Sequence, residues 1–96
     1  MYEVLLSLEA EKDLVDIFEY SLMEFGVHKA ELYTLSFQDA FDLLGENPVV
    51  GKKRDEIKSG LRSIVKEEHI VFYRIMNDHI LIVRILHSSR DIKRFL

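Results

Sequence analysis

The chain has no cysteine and no tryptophan, a single proline and only four glycines. Without cysteine there can be no disulfide scaffold, no thiolate metal site and no cysteine nucleophile. So little Pro and Gly beside an apolar fraction of 48 % excludes collagen-like repeats and low-complexity disorder. No apolar run approaches the roughly 20 residues of a membrane-spanning helix, and the amino terminus lacks a signal-peptide pattern. Gly-rich phosphate loops and Ser/His/Asp arrangements are missing too. The four histidines, His28, His69, His79 and His87, do not fall at a metal-ligand spacing, so neither a metal nor a cofactor is expected. A length of 96 residues then leaves one domain, 1–96, expected to be cytoplasmic.

What is present is a strong asymmetry of charge. Residues 1–50 carry eleven acids against Lys12 and Lys29, a net charge of −9. Residues 51–96 carry eleven bases against six acids, a net charge of +5. This split points to an acidic face and a basic face that suit different partners. In the basic half only Phe72, Tyr73 and Phe95 are aromatic, too few for a base-stacking platform.

The hydrophobic pattern gives the element order. Tyr2 to Leu6 reads as a strand, and Ser7 as the N-cap of a helix with Glu9, Glu11 and Asp13 at its positive end. Ala10, Leu14, Ile17, Phe18, Ser21 and Phe25 fall on one stripe of that helix, which Gly26 closes as a left-handed cap. A second helix carries Ala30, Tyr33, Phe37, Ala40, Phe41 and Leu44 on its main stripe and stops at Gly45 and Asn47-Pro48. So short a link predicts an antiparallel helical hairpin. Leu32, Leu35 and Leu43 lie on the opposite side of the second helix. They either pack on the first helix or line an apolar groove for a partner's helix or strand.

Residues 47–60 read as a loop. Leu61–Val65, His69–Met76 and Ile80–Leu86 read as strands, the last two joined by a turn at Asn77-Asp78. The final ten residues form a tail or a short helix. The result is an α+β fold in two layers, β-α-α-β-β-β, with the hairpin on one face of a mainly antiparallel sheet and the other face, or a rim of it, left open.

Arg74 and Arg84 interrupt apolar strands, so each must be paired or must project from the uncovered face. A two-residue turn at Asn77-Asp78 puts them on opposite faces, and a three-residue turn puts them together. With Arg62 they would suit a phosphate or a carboxylate. His87 ends the last strand and is the one candidate for acid–base chemistry.

Four segments together carry a resemblance that covers essentially the whole chain: LEAEKDLVDIFEYSLMEFG, ENPVVGKKRDEIKSGLR, HIVFYRI and ILIVRILHSSRDI. In this order they resemble the ParE branch of the ParE/RelE toxin superfamily, the toxin halves of bacterial toxin–antitoxin pairs. The resemblance implies a helical hairpin on an antiparallel sheet, and a ParD-like antitoxin whose disordered tail folds around that hairpin. It makes Met23, Leu32, Leu35 and Leu43 the expected antitoxin contacts. It also implies inhibition of DNA gyrase by binding and stabilising its cleaved-DNA complex, without turnover. Arg62, Arg74, Arg84, Arg90, Lys93 and Arg94 are then the expected surface toward gyrase or its DNA. Two other readings stand beside this one. A RelE-like ribosome-dependent mRNA endoribonuclease would use His87 with Arg62 and Glu56, and an inactive antitoxin-binding module would use neither. Against the ribonuclease stand a pI of about 5.5 and the position of the last tyrosine, Tyr73, inside a strand rather than near the carboxyl terminus.

Overall fold

The computed structural model describes residues 1–96. Strand β1 (Glu3–Leu6) leads into helices α1 (Leu8–Phe25) and α2 (Val27–Glu46). A 3₁₀ turn (Pro48–Val50) follows, then strands β2 (Lys52–Lys53), β3 (Leu61–Lys66), β4 (His69–Ile75) and β5 (His79–His87), and a short helix α3 (Ile92–Phe95). The sheet order is β1-β5-β4-β3-β2; β1 runs parallel to β5 and every other pair is antiparallel. This is the expected α+β architecture with one addition. Lys52–Lys53 pairs with Ser63 and Arg62 as an edge strand inside the segment that reads as loop. No helix is long and apolar enough to cross a membrane.

Ser7 caps α1 as expected, accepting the Ala10 N–H at 3.0 Å. Its hydroxyl also donates to the Val83 carbonyl at 2.8 Å, so the same side chain fixes where α1 begins relative to β5. Gly26 alone separates the two helices. It sits at φ 87, ψ 170, a combination essentially reserved for glycine, and not in the left-handed helical cap expected from the sequence. Its N–H bonds Leu22 and its carbonyl accepts from Ala30, so one residue ends one helix and starts the next.

The main core lies between hairpin and sheet. Ala10, Ile17, Phe37, Phe41 and Leu44 meet Val71, Tyr73, Ile80, Ile82 and Ile85. Successive strand residues point to opposite faces, so Phe72, between Val71 and Tyr73, faces away from the hairpin. There it joins Leu61 and Leu86 in a second cluster covered by Ile57, Ile92, Phe95 and Leu96. The far face, expected from the sequence to be open in whole or at a rim, is instead covered over Leu61, Phe72 and Leu86 by α3 and Ile57. Phe25 departs from its stripe and is 60 % exposed.

The register resolves the question of the two strand arginines in an unforeseen way. Met76 donates to the His79 carbonyl around a two-residue turn at Asn77-Asp78. Pairing is regular to Tyr73↔Ile82 but resumes at Phe72↔Arg84, leaving Val83 as an extra residue in a β-bulge. The bulge shifts parity by one. Arg74 and Arg84 consequently share a face despite the two-residue turn, and both line a shallow pocket with Lys58 and Phe95.

Two tyrosines tie the layers together. Tyr73 is fully buried; its hydroxyl donates to the Pro48 carbonyl at 2.6 Å and accepts the Gly51 N–H at 2.9 Å. Gly51 has no room for a side chain, since a Cβ there would meet the Tyr73 ring at 2.6 Å and collide with its hydroxyl. On α2, Tyr33 bonds Nδ1 of His69 on β4 at 2.7 Å. Burial, then the charges of Glu67 and Glu68, push the Tyr33 hydroxyl up to about 12, so it stays neutral. Burial, then the neighbouring His87, holds His69 below its ordinary 6.5, although Glu68 and Glu67 act the other way. Near neutral pH the contact thus joins two uncharged rings, Tyr33 and His69.

Tyr73→Phe should lower the unfolding free energy by about 1–3 kcal/mol in urea titrations, because a buried N–H and carbonyl lose their partner. A second expectation concerns pH. The unfolded chain takes up a proton at His69 before the folded chain does, so stability is full above about 6.5 and is lost as pH falls toward the lower folded value. Urea midpoints should therefore drop between about pH 7.5 and about pH 5.5, with a shallower drop for His69→Gln.

Candidate functional site

The outer face of the hairpin combines exposed apolar side chains with acids. Met23 is 85 % exposed, Leu32 56 %, Leu35 67 % and Leu43 44 %. Each of the three leucines keeps between 44 and 67 % of its surface in water, so an apolar surface is left uncovered on this side of α2. Leu8, Val15 and Leu22 on α1 are also exposed and recur at seven-residue intervals, which keeps them on one side of a helix. Exposed Glu11, Glu19, Glu31, Asp39 and Asp42 stand among them. Such a surface suits an amphipathic segment with an apolar stripe and basic flanks.

A cleft of about 1150 Å³ opens where the turn between the helices overhangs one end of the sheet. Asp16, Tyr20, Phe25, Lys29 and Tyr33 line it from the hairpin side, and Glu67, Glu68, His69, His87, Ser89 and Arg90 from the sheet side. The His69 and His87 rings meet edge-on with centroids 5.3 Å apart. Nδ1 of His87 accepts the Ser89 N–H at 3.1 Å, with the Ser89 hydroxyl at 2.7 Å. That bond leaves the proton of the neutral ring on Nε2, which lies 3.5 Å from the Glu68 carboxylate. Nδ1 of His87 is thus engaged within the protein, while Nε2 faces the exposed Glu68 carboxylate. No group of three or more metal-ligating side chains is arranged to hold an ion.

The residues a ribonuclease would require are not brought together. His87 pairs with His69, and His69 with Lys66, whereas Arg62 lies four residues further along β3. That is roughly 13 Å along the strand and about 10 Å across it. The Arg62 Nη1 donates to the carbonyls of Gly51 at 2.9 Å and Val49 at 3.3 Å, on the β2 side of the sheet. Glu56 sits in the loop after β2, ion-paired to Arg54 at 2.8 Å, which lowers its carboxyl below the ordinary value.

The cations expected to form one outward surface divide into three groups. Arg90, Lys93 and Arg94 are exposed around α3. Arg62 and Arg74 each spend hydrogen bonds on backbone carbonyls, Arg74 on Ser59 at 2.7 Å. Arg84 is taken up inside the protein. Its Nε and Nη2 reach the two carboxylate oxygens of Asp13, both at 2.9 Å, and this pairing raises its already high pKa. Asp13 was the residue missed at sequence level, where it reads as an acid at the helix start. Its place three residues after Ala10 and four before Ile17, on the buried stripe, was the signal for an internal partner.

Comparison with known proteins agrees with the fold and sharpens it. Residues 4–92 match the family described as the ParE toxin of the type II toxin–antitoxin system, parDE. The Toxin ParE1 of Mycobacterium tuberculosis is 36 % identical over 93 residues, covering 96 % of this chain and 95 % of that protein. The Toxin ParE1 of Caulobacter vibrioides is 33 % identical over 91 residues, covering 95 % and 94 %. Among solved structures, the chromosomal ParDE toxin–antitoxin system from P. aeruginosa superimposes with a TM-score of 0.80 at 21 % identity, covering 91 % of this chain and 96 % of that one. The toxin–antitoxin complex RelBE2 from Mycobacterium tuberculosis gives 0.58 at 25 % identity, covering 90 % and 96 %. A whole-length match in sequence, joined to the hairpin-on-sheet fold, places this chain in the ParE toxin family of type II toxin–antitoxin systems, within the ParE/RelE superfamily.

Proposed function

We propose that this chain is a toxin that inhibits DNA gyrase by binding it and stabilising its cleaved-DNA complex, and that a ParD-like antitoxin neutralises it by covering the helical hairpin. The observation that carries the antitoxin half is the row of exposed leucines, Leu32, Leu35 and Leu43, on an acidic helix. An apolar surface of this kind, left in water, favours a partner that buries it. An amphipathic helix whose apolar stripe meets these leucines and Met23, and whose basic flanks meet Glu31, Asp39 and Asp42, fits both chemistries.

The gyrase half rests on family membership and on the kind of surface the basic half presents. Arg90, Lys93 and Arg94 are exposed and clustered around α3, where a phosphate backbone or an acidic protein surface could be met. Inhibition by binding needs no acid–base pair. The separation of His87 from Arg62 and Glu56 favours that mode over ribonuclease chemistry.

Leu35→Glu should weaken binding of the ParD-type antitoxin by at least about tenfold in titration calorimetry, with little change in thermal midpoint, because Leu35 already faces water. Purified protein free of antitoxin should block gyrase supercoiling and cause cleaved plasmid to accumulate, only when gyrase is present. Changing Arg90, Lys93 and Arg94 together to Gln should weaken that effect by about tenfold or more. Unimpaired supercoiling by folded protein that is toxic in cells would sink the gyrase reading. It would turn attention to ribosome-dependent mRNA cleavage, with His87→Ala as the control.

A further inference from the structure

We propose that Asp13 is a positioning residue for the C-terminal helix, acting through the guanidinium of Arg84. Arg84 makes more contacts than its ion pair requires. While Nε and Nη2 grip Asp13, Nη1 donates to the Phe95 carbonyl at 3.3 Å, and the guanidinium carbon lies 5.6 Å from the Phe95 ring centroid. Arg90 comes within 4.9 Å of the same ring. Phe95 is thereby held by two cations, one of which is fixed in place from α1.

A four-residue helix has too few internal hydrogen bonds to hold itself, so its position must come from outside contacts. Two kinds are present. Ile92, Phe95 and Leu96 pack on Leu61, Phe72 and Leu86, which is non-directional, whereas the Arg84 fork sets a direction. That fork is held in turn by Asp13, whose side chain is only 10 % exposed. Glu9 adds a weaker attraction to Arg84 but makes no hydrogen bond to it. Without the Asp13 charge, Arg84 is free to swing toward solvent and α3 loses the contact that orients it. The helix concerned carries Lys93 and Arg94, with Arg90 just before it, so Asp13 sets the geometry of the cationic surface. This second step rests on the gyrase reading given above.

The absence of tryptophan makes the test direct. Phe95→Trp places a single reporter where both cations sit, and an indole is the strongest cation–π acceptor among the side chains. Its emission should be blue-shifted and resist acrylamide. Adding Asp13→Asn, which keeps an oxygen for the Ile85 N–H but loses the charge, should shift the emission to the red. The quenching constant should rise at least about twofold while the far-ultraviolet circular dichroism stays unchanged. Arg84→Lys, which keeps the charge but loses the fork, should do the same and serves if Asp13→Asn fails to fold. Unchanged emission and quenching in a folded variant would overturn the proposal. In gyrase assays Asp13→Asn should lose inhibition by at least about fivefold with antitoxin affinity intact. Equal loss of both activities would mark a general defect of the fold and overturn it as well. If the parent protein leaves gyrase untouched, the gyrase reading fails, and the tryptophan signal still decides whether Asp13 positions α3.

Discussion

Strand β1 accompanies β5 only as far as Ile82, and past that point the backbone N–H of Ile85 is met by the carboxylate of Asp13 at 2.9 Å. The same carboxylate receives two hydrogen bonds from Arg84, so a side chain on α1 closes a strand edge and neutralises a charge at once. The bulge at Val83 makes this possible, because it turns Arg84 out of the regular register and leaves Ile85 facing the helix. A carboxylate this well shielded is tolerated only with its hydrogen-bonding capacity used. Losing one partner of such a pair costs about 3–5 kcal/mol. The first turns of α1, the later residues of β5 and the seat of α3 all meet at this one junction.

Charge is divided between the two layers of the fold. The hairpin is acidic and the sheet with its C-terminal segment is basic, as the two halves of the chain already indicate. Little of the positive charge is spent on the negative: Asp13 with Arg84 is the well-shielded pair, while the acids paired with Arg54 and Lys66, Glu56 and Glu67, are exposed. The molecule therefore presents two fields of opposite sign, each able to steer a different partner, and both weakened by salt.

The hairpin, the three long strands and the place of the turn at Asn77-Asp78, though not its length, were legible because each rests on local chemistry: apolar spacing, a Ser7 cap, a glycine joint, an Asn-Asp pair. What escaped depends on contacts between distant residues. The bulge at Val83 carries no local mark, since Ile82, Val83 and Ile85 are all equally suited to a strand. The cover on the far face was missed because Ile92, Phe95 and Leu96 are too few to show periodicity, and they become a core only when Leu61, Phe72 and Leu86 come beneath them. Strand β2 is two residues long and exists through its pairing alone. At the candidate sites, the exposed leucines were visible as a second stripe on α2. The fate of Arg84 was not, because its partner lies 71 positions away.

The parallel pairing of β1 with β5 joins Glu3 to His79, so the first strand cannot find its place until nearly the whole chain has been made. Contacts this distant in sequence slow folding and hold it back until β5 has been made. During translation the hairpin emerges early, with both its inner stripe and its outer leucines bare, while the strands that will cover the inner stripe are still inside the ribosome. The nascent chain is then at its most adhesive, with apolar surface bare on both sides of the hairpin. A neutralising partner present at that moment meets the toxin before its fold is complete.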